Sequence, residues 1–260
     1  MLEILGLKYP ITSIFLFQKK PLKSLLLEKK VLENSDLVLA TTKIDQKRFE
    51  KKGAKKVIEI TNAFKEIWPK AEKKPNQTFT LLYAGGLESD RNPSILWEVL
   101  KDLSLEKIDF RIEFCGNISN EVILELKDKN LFTKCQFFGY LSLEKTQEKM
   151  SGADLLILTN FFDIAGEGII PGKLFEYLAS GKPIVSVGYP NTEVEEILAK
   201  VGLGKHFYQQ KKELKTYLLQ RIQNPNLDLK VNESELLKYR RKEISWALKH
   251  ELIQLLQPKD

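Results

Sequence analysis

Histidine, cysteine and methionine each occur only twice in 260 residues. His206 and His250 stand alone, and Cys115 and Cys135 lack any paired metal spacing. No metal cluster can therefore be assembled from His and Cys, and no bound metal is expected. No signature of a Ser–His–Asp set or of a Cys–His nucleophile pair appears in the sequence either. Each cysteine falls beside an apolar, strand-like run. Buried free thiols are expected, which fits a reducing, cytoplasmic setting. Long apolar runs are also missing. The longest early one covers residues 11–17, whereas a helix needs about 20 residues to span a bilayer. The start lacks the basic n-region of a signal peptide, so none is expected. Internal repeats and low-complexity segments are absent.

What is present is ordinary for a globular protein, with 43% hydrophobic and 29% charged residues. The net charge of +6 is unevenly spread. Residues 1–74 hold 17 Lys/Arg against 9 Asp/Glu, a surplus of +8, which leaves −2 for the rest. Solvated helix lysines explain this, and so does contact with an anionic membrane surface. The apolar Ile14, Phe15 and Phe17 beside Lys19, Lys20 and Lys23 suit a peripheral, salt-sensitive membrane contact at the inner face. No nucleic-acid partner is expected, because no RNA or DNA motif accompanies the charge.

Along the chain, strand-like and helix-like segments alternate. Helical spacing at residues 20–35 precedes a short apolar strand at 36–40, a helix at 43–52 ending at Gly53, and a strand at 57–60. A polar stretch with Trp68-Pro69 and Pro75 reads as a linker. Strands are then expected at 79–83, 110–114, 135–138, 154–159 and 184–187. Helices are expected at 93–103, 119–129, 142–150, 173–180 and 193–200. This alternation predicts an α/β fold with a doubly wound, Rossmann-like parallel sheet. The expected organisation is a partial N-terminal domain (1–64), a linker (65–78), a main domain (79–235) and a C-terminal helix (236–260). The apolar spacing over 236–256 predicts a helix packed on the core.

The densest signal is PGKLFEYLASGKPIV at residues 171–185. Pro171 and Gly172 break the chain before a short helix, which stops at Gly181. A helix N-terminus attracts anions through free N–H groups and its dipole, and Lys173 adds a full positive charge there. Glu176, one turn in, can accept from a pair of ribose hydroxyls. Phosphate donors, a cation and a carboxylate in one turn point to a nucleotide diphosphate ligand. Gly85 and Gly86 follow the strand at 79–83 and allow backbone N–H groups near a phosphate, with Arg91 able to neutralise it. An ordinary turn is the competing reading of that Gly-Gly pair. Gly139 and Tyr140 end another strand, where backbone groups and a ring can border a base. Glu167 lies in the loop after 154–159 and could accept from a hexose hydroxyl, or be a solvated carboxylate.

These residues resemble the nucleotide-sugar motif of GT-B-fold retaining glycosyltransferases, the family 4-like group 1 enzymes. Glu176 opens Glu-Tyr-Leu-Ala-Ser-Gly and matches the second of that family's two motif glutamates. Eight positions earlier stands Gly168, with Glu167 one residue off. The chain is similar to the subgroup with Pro-x-Lys-x-x-Glu-Tyr, in which Arg91 replaces a basic residue at the place of Gly86. The resemblance implies a metal-independent hexosyl transfer without cofactor, from a UDP- or GDP-sugar to a glycan or lipid-linked hydroxyl in surface-polysaccharide or glycolipid assembly. It implies diphosphate contacts at Gly85, Gly86, Arg91, Gly172 and Lys173, ribose contact at Glu176, and a base bordered by Gly139 and Tyr140. Glu167 is the one candidate on the catalytic side. It also implies that the final helix returns toward the N-terminal domain. Residues 1–62 supply about two strand–helix units where a full Rossmann-like half needs about five or six. The alternative is thus a donor-binding fragment or subunit completed by a separate chain.

Overall fold

A computed structural model describes residues 22–69 and 78–257. Ile14, Phe15, Phe17, Lys19 and Lys20, expected at a membrane surface, lie outside the described residues, as does most of the linker. The described chain begins with α1 (Leu22–Asn34), β1 (Val38–Ala40), α2 (Lys43–Lys51) and β2 (Val57–Glu59). β1 and β2 pair in parallel, Val38 opposite Val57, as a two-stranded sheet.

The larger unit alternates β3 (Thr80–Ala84), α3 (Ser94–Leu105), β4 (Arg111–Cys115), α4 (Asn120–Asp128), β5 (Cys135–Phe137), α5 (Leu143–Gly152), β6 (Leu155–Thr159), α6 (Lys173–Ser180), β7 (Ile184–Val187), α7 (Glu193–Val201), β8 (Gly204–Phe207) and α8 (Lys211–Gln223). The six strands are parallel in the order β5-β4-β3-β6-β7-β8. This is the Rossmann order, with the direction of winding reversing between β3 and β6. The runs TLLYA and LLILT are buried along their whole length. Helices cover both faces of such strands, so both side-chain directions must be apolar. One core layer centres on Leu96, Trp97, Leu100 and Phe114, the other on Leu156, Leu174, Tyr177 and Leu198. The fold is α/β, a doubly wound parallel sheet beside a small Rossmann-like βαβ unit.

The ladder between β3 and β6 is short, Leu81 opposite Leu155 and Leu82 opposite Leu156. Beyond it, Tyr177 from α6 fills the gap. The Ala84 N–H donates to its phenolic oxygen at 3.0 Å, and the phenol donates to the Ile157 carbonyl at 3.2 Å. One buried hydroxyl thus satisfies two backbone groups that the divergence would otherwise orphan.

The structure corrects the sequence reading in three places. β8 and α8 were not foreseen. The tail is two helices, α9 (Glu233–Leu237) and α10 (Arg241–Leu256), not one. The break falls where Phe64 pairs with the chain: its N–H donates to the Tyr239 carbonyl at 3.1 Å, and its carbonyl accepts from the Arg241 N–H at 2.7 Å. α10 buries none of its residues, and Trp246, Ile253 and Leu256 are exposed, so it is not packed on the core. Lys56, between α2 and β2, pairs with Glu251 of α10 at 2.6 Å. Finally, Cys115 is buried but Cys135 only half-buried, and both are free thiols. Burial raises both, Cys135 up to about 12.

The two units also meet at a helix end. Thr42 caps α2 by accepting from the Asp45 N–H at 3.0 Å, while the Ile44 N–H donates across to Glu193 of α7 at 3.4 Å. Desolvation pushes the Glu193 carboxyl upward and the α2 amides pull it back. Among the described residues, no helix is long and apolar enough to cross a membrane.

Candidate nucleotide-sugar site

The carboxyl ends of β3 and β6 open into the crevice at the switch point, where such sheets bind ligands. The chain leaves β3 through Gly85, at φ +112°, and runs against the turn after β4, where Gly116 has φ +136°. The Gly85 N–H donates to the Cys115 carbonyl at 2.7 Å, Leu87 to Asn117 at 2.9 Å, and Ser119 back to Leu87 at 2.9 Å. A Cβ on Gly116 would stand 2.2 Å from the Gly85 oxygen, and one on Gly85 3.1 Å from Lys173 Nζ. Backbone conformation favours glycine at both positions, and at Gly116 the Gly85 backbone leaves no space for a side chain either.

A 3₁₀ turn, Ser89–Arg91, carries Arg91 over the crevice. Its guanidinium carbon lies 5.7 Å from the centre of the Phe161 ring. Asn92 anchors this turn. Its amide oxygen accepts from Trp97 Nε1 at 2.7 Å and its amide nitrogen donates to Glu125, which also accepts from Ser94 at 2.9 Å.

From the other side comes α6, whose first turn is wound by Leu174 N–H to the Pro171 carbonyl at 2.9 Å and Phe175 N–H to Gly172 at 3.2 Å. The helix stops at Gly181, at φ +65°. The amides of Gly172 and Lys173 precede those bonds, at the mouth of the helix, and a Cβ on Gly172 would meet only open space. Lys173 Nζ donates to the Tyr83 hydroxyl at 2.6 Å and sits 3.9 Å from that ring's centre. Burial pushes the Lys173 amine down to about 7. The Arg91 charge pushes the same way and Glu176 opposes. Glu176 itself is exposed on the same turn.

The loop after β6 is held by Asn160, which is buried. Its amide nitrogen donates to the carbonyls of Gly166 at 3.2 Å and Ile169 at 2.9 Å, and its oxygen accepts from the Phe161 N–H at 2.9 Å. Glu167 follows the 3₁₀ turn Ile164–Gly166 in this loop and is half-buried. Gly168 faces the other unit, where a Cβ would lie 3.5 Å from Ile44. At the far edge, Gly139 has φ +61° and Tyr140 is 89% exposed. They end β5, two strands from β3, about 10 Å along the sheet.

The structure therefore gathers Gly85, Gly86, Arg91 and Lys173 around one phenol, with Glu176 on the same first turn of α6 as Lys173. Glu167 occupies the next loop, and Gly139 and Tyr140 the outer strand end. Sequence reasoning missed Tyr83, Asn92 and Asn160. The one available signal was for Tyr83, the only hydroxyl-bearing aromatic in an apolar run that ends at Gly-Gly. Asn92 and Asn160 act through long-range partners that no local pattern announces.

The solved Anabaena protein Alr3699/HepE, determined with UDP and glucose, superposes with a TM-score of 0.69 at 14% identity, covering 89% of this chain and 67% of that one. A glycosyltransferase from Rickettsia africae gives 0.68 at 14% identity, over 94% of this chain and 69% of that one. The Bacillus subtilis (strain 168) protein named "Putative teichuronic acid biosynthesis glycosyltransferase TuaH" is 22% identical over 187 residues, 68% of this chain. The match takes in 46% of TuaH, so the chain spans about half the length of that curated relative. The model of the glycosyl transferases group 1 family matches residues 64–235, the whole six-stranded sheet together with the crossing segment at Phe64. The chain belongs to the glycosyl transferases group 1 family.

Proposed function

We propose that this chain binds a nucleoside diphosphate sugar, with UDP or GDP as the nucleotide, and presents the sugar for transfer to a hydroxyl of a glycan or lipid-linked acceptor. The observation that carries this is the convergence of Lys173, Arg91, the Gly85–Gly86 turn and the N-terminus of α6 at the switch-point crevice. Two cations and a helix end suit two phosphates. As the bond from sugar to diphosphate breaks, negative charge grows on the leaving oxygens. Lys173, Arg91 and the Gly172 and Lys173 amides stabilise it there. Glu176 accepts from the ribose hydroxyls. Glu167 lies toward the sugar, and Gly139 and Tyr140 toward the base.

Because the chain spans about half of its curated relative, a second reading stands beside the first. In it, this chain is the donor-binding part, and transfer needs acceptor-side elements carried on a further segment or a separate chain. Both readings share one test. Calorimetric titration with UDP and GDP should show Glu176→Ala weakened about tenfold or more, the loss expected when charged hydrogen bonds to two hydroxyls are removed. Unchanged affinity would remove the ribose assignment. Transfer by the isolated chain would then decide between the two readings.

A further inference from the structure

Both cations of the site rest on aromatic faces, Arg91 on Phe161 and Lys173 on Tyr83. The Tyr83 ring is fully buried and packs against Phe114, with ring centres 6.4 Å apart. Its hydroxyl is fixed as well. It donates to the Gly86 carbonyl at 2.8 Å and has the Thr159 hydroxyl at 3.5 Å. With the phenolic proton committed to Gly86, the lone pairs on the oxygen are left for Lys173, which donates to them at 2.6 Å.

We propose that Tyr83 is a positioning residue of the donor site, whose phenol holds the Lys173 amine beside the Gly85–Gly86 turn at the place a diphosphate will occupy. The proposal rests on the nucleotide-sugar reading above. The same hydroxyl bonds both the turn and the lysine, so the two are set as a unit. Arg91, Glu88 and Asp90 face this pair from the turn after β3, and Glu176 faces it from α6. Within this berth burial holds the amine down at about 7. A bound diphosphate restores its charge, so binding at pH 8 takes up a proton. A lysine that had swung out to solvent would already be charged at pH 8 and would take up none.

The test is calorimetric titration of UDP and uridine into the full chain and into Tyr83→Phe, in two buffers of different ionisation enthalpy. Tyr83→Phe should weaken UDP about tenfold, as expected for loss of a hydrogen bond to a charged group, and leave uridine unchanged. The wild type should take up a substantial fraction of a proton per UDP at pH 8. UDP affinity unchanged in the variant overturns the proposal. So does an equal loss for UDP and uridine, which would mark a merely structural role. Where the variant does not fold, proton uptake by the wild type carries the test, and zero uptake overturns the proposal. If the wild type binds UDP while the variant is unaffected, the role of Tyr83 alone fails. If the wild type binds neither UDP nor GDP, the donor-site reading fails and this role with it.

Discussion

Gly116→Ala is expected to lower the midpoint of thermal unfolding by about 10 °C. Two costs combine at that position. The backbone sits at φ +136°, where a side chain is strained whatever the space. The added methyl would stand 2.2 Å from the Gly85 oxygen and 2.5 Å from its carbonyl carbon, and backbone atoms cannot rotate away as a flexible side chain can. Strain and overpacking together cost about 3–5 kcal/mol, a large share of the stability of a domain this size. The loss should spread into the site, because the turns after β3 and β4 are zipped by Gly85–Cys115, Leu87–Asn117 and Ser119–Leu87 hydrogen bonds. Differential scanning calorimetry beside Gly152→Ala, whose Cβ meets nothing and whose φ is ordinary, isolates the effect. A drop of under about 3 °C would mean that the two strand ends do not approach as described.

Lys173→Met should do two opposite things. It should weaken UDP about 100-fold, the upper range for losing charge-assisted bonds to a phosphate. It should also make the empty protein more stable at pH 6.5. The folded-state amine titrates at about 7, against 10.5 for an ordinary lysine. Below pH 7 both folded and unfolded chains carry the proton, and the folded state bears the full cost of burying it. Between pH 7 and 10.5 the unfolded chain holds more protons, so wild-type stability rises with pH. Methionine removes that dependence. Its advantage is therefore largest at pH 6.5 and shrinks toward pH 10. Thermal melts at both pH values check the sign. A variant less stable than wild type at pH 6.5 contradicts the buried berth, and unaltered UDP affinity contradicts the phosphate role.

Much of the sheet domain was legible in the sequence, because parallel strands buried on both faces must be apolar throughout. TLLYA and LLILT announce themselves for that reason, and Gly181 marks the end of α6 by its left-handed conformation. β8 was missed because GKHF begins with two residues that remain partly or fully exposed at the sheet edge. α8 was missed because it buries only Leu214 and Leu218 among many charges. The tail misled for a different reason. Its apolar residues suggested one packed helix, but Phe64, far away in sequence, pairs with the backbone around Tyr239 and breaks the run. The residues proposed to touch the donor were legible as chemistry, in Lys173, Glu176 and Arg91. The residues that hold them were not. Tyr83, Asn92 and Asn160 act through bonds to Lys173, Glu125 and Gly166, and a strand pattern says which face a side chain takes without saying what waits there.

The most direct measurement is a crystal structure of the chain with UDP bound. The diphosphate should lie within hydrogen-bonding distance of Lys173, Arg91 and the Gly172 amide, with the ribose hydroxyls on Glu176 and the base toward Gly139 and Tyr140. A nucleotide found instead between the two units, in the polar hollow lined by Lys43, Glu59, Glu193 and Lys200, would contradict this placement of the donor site.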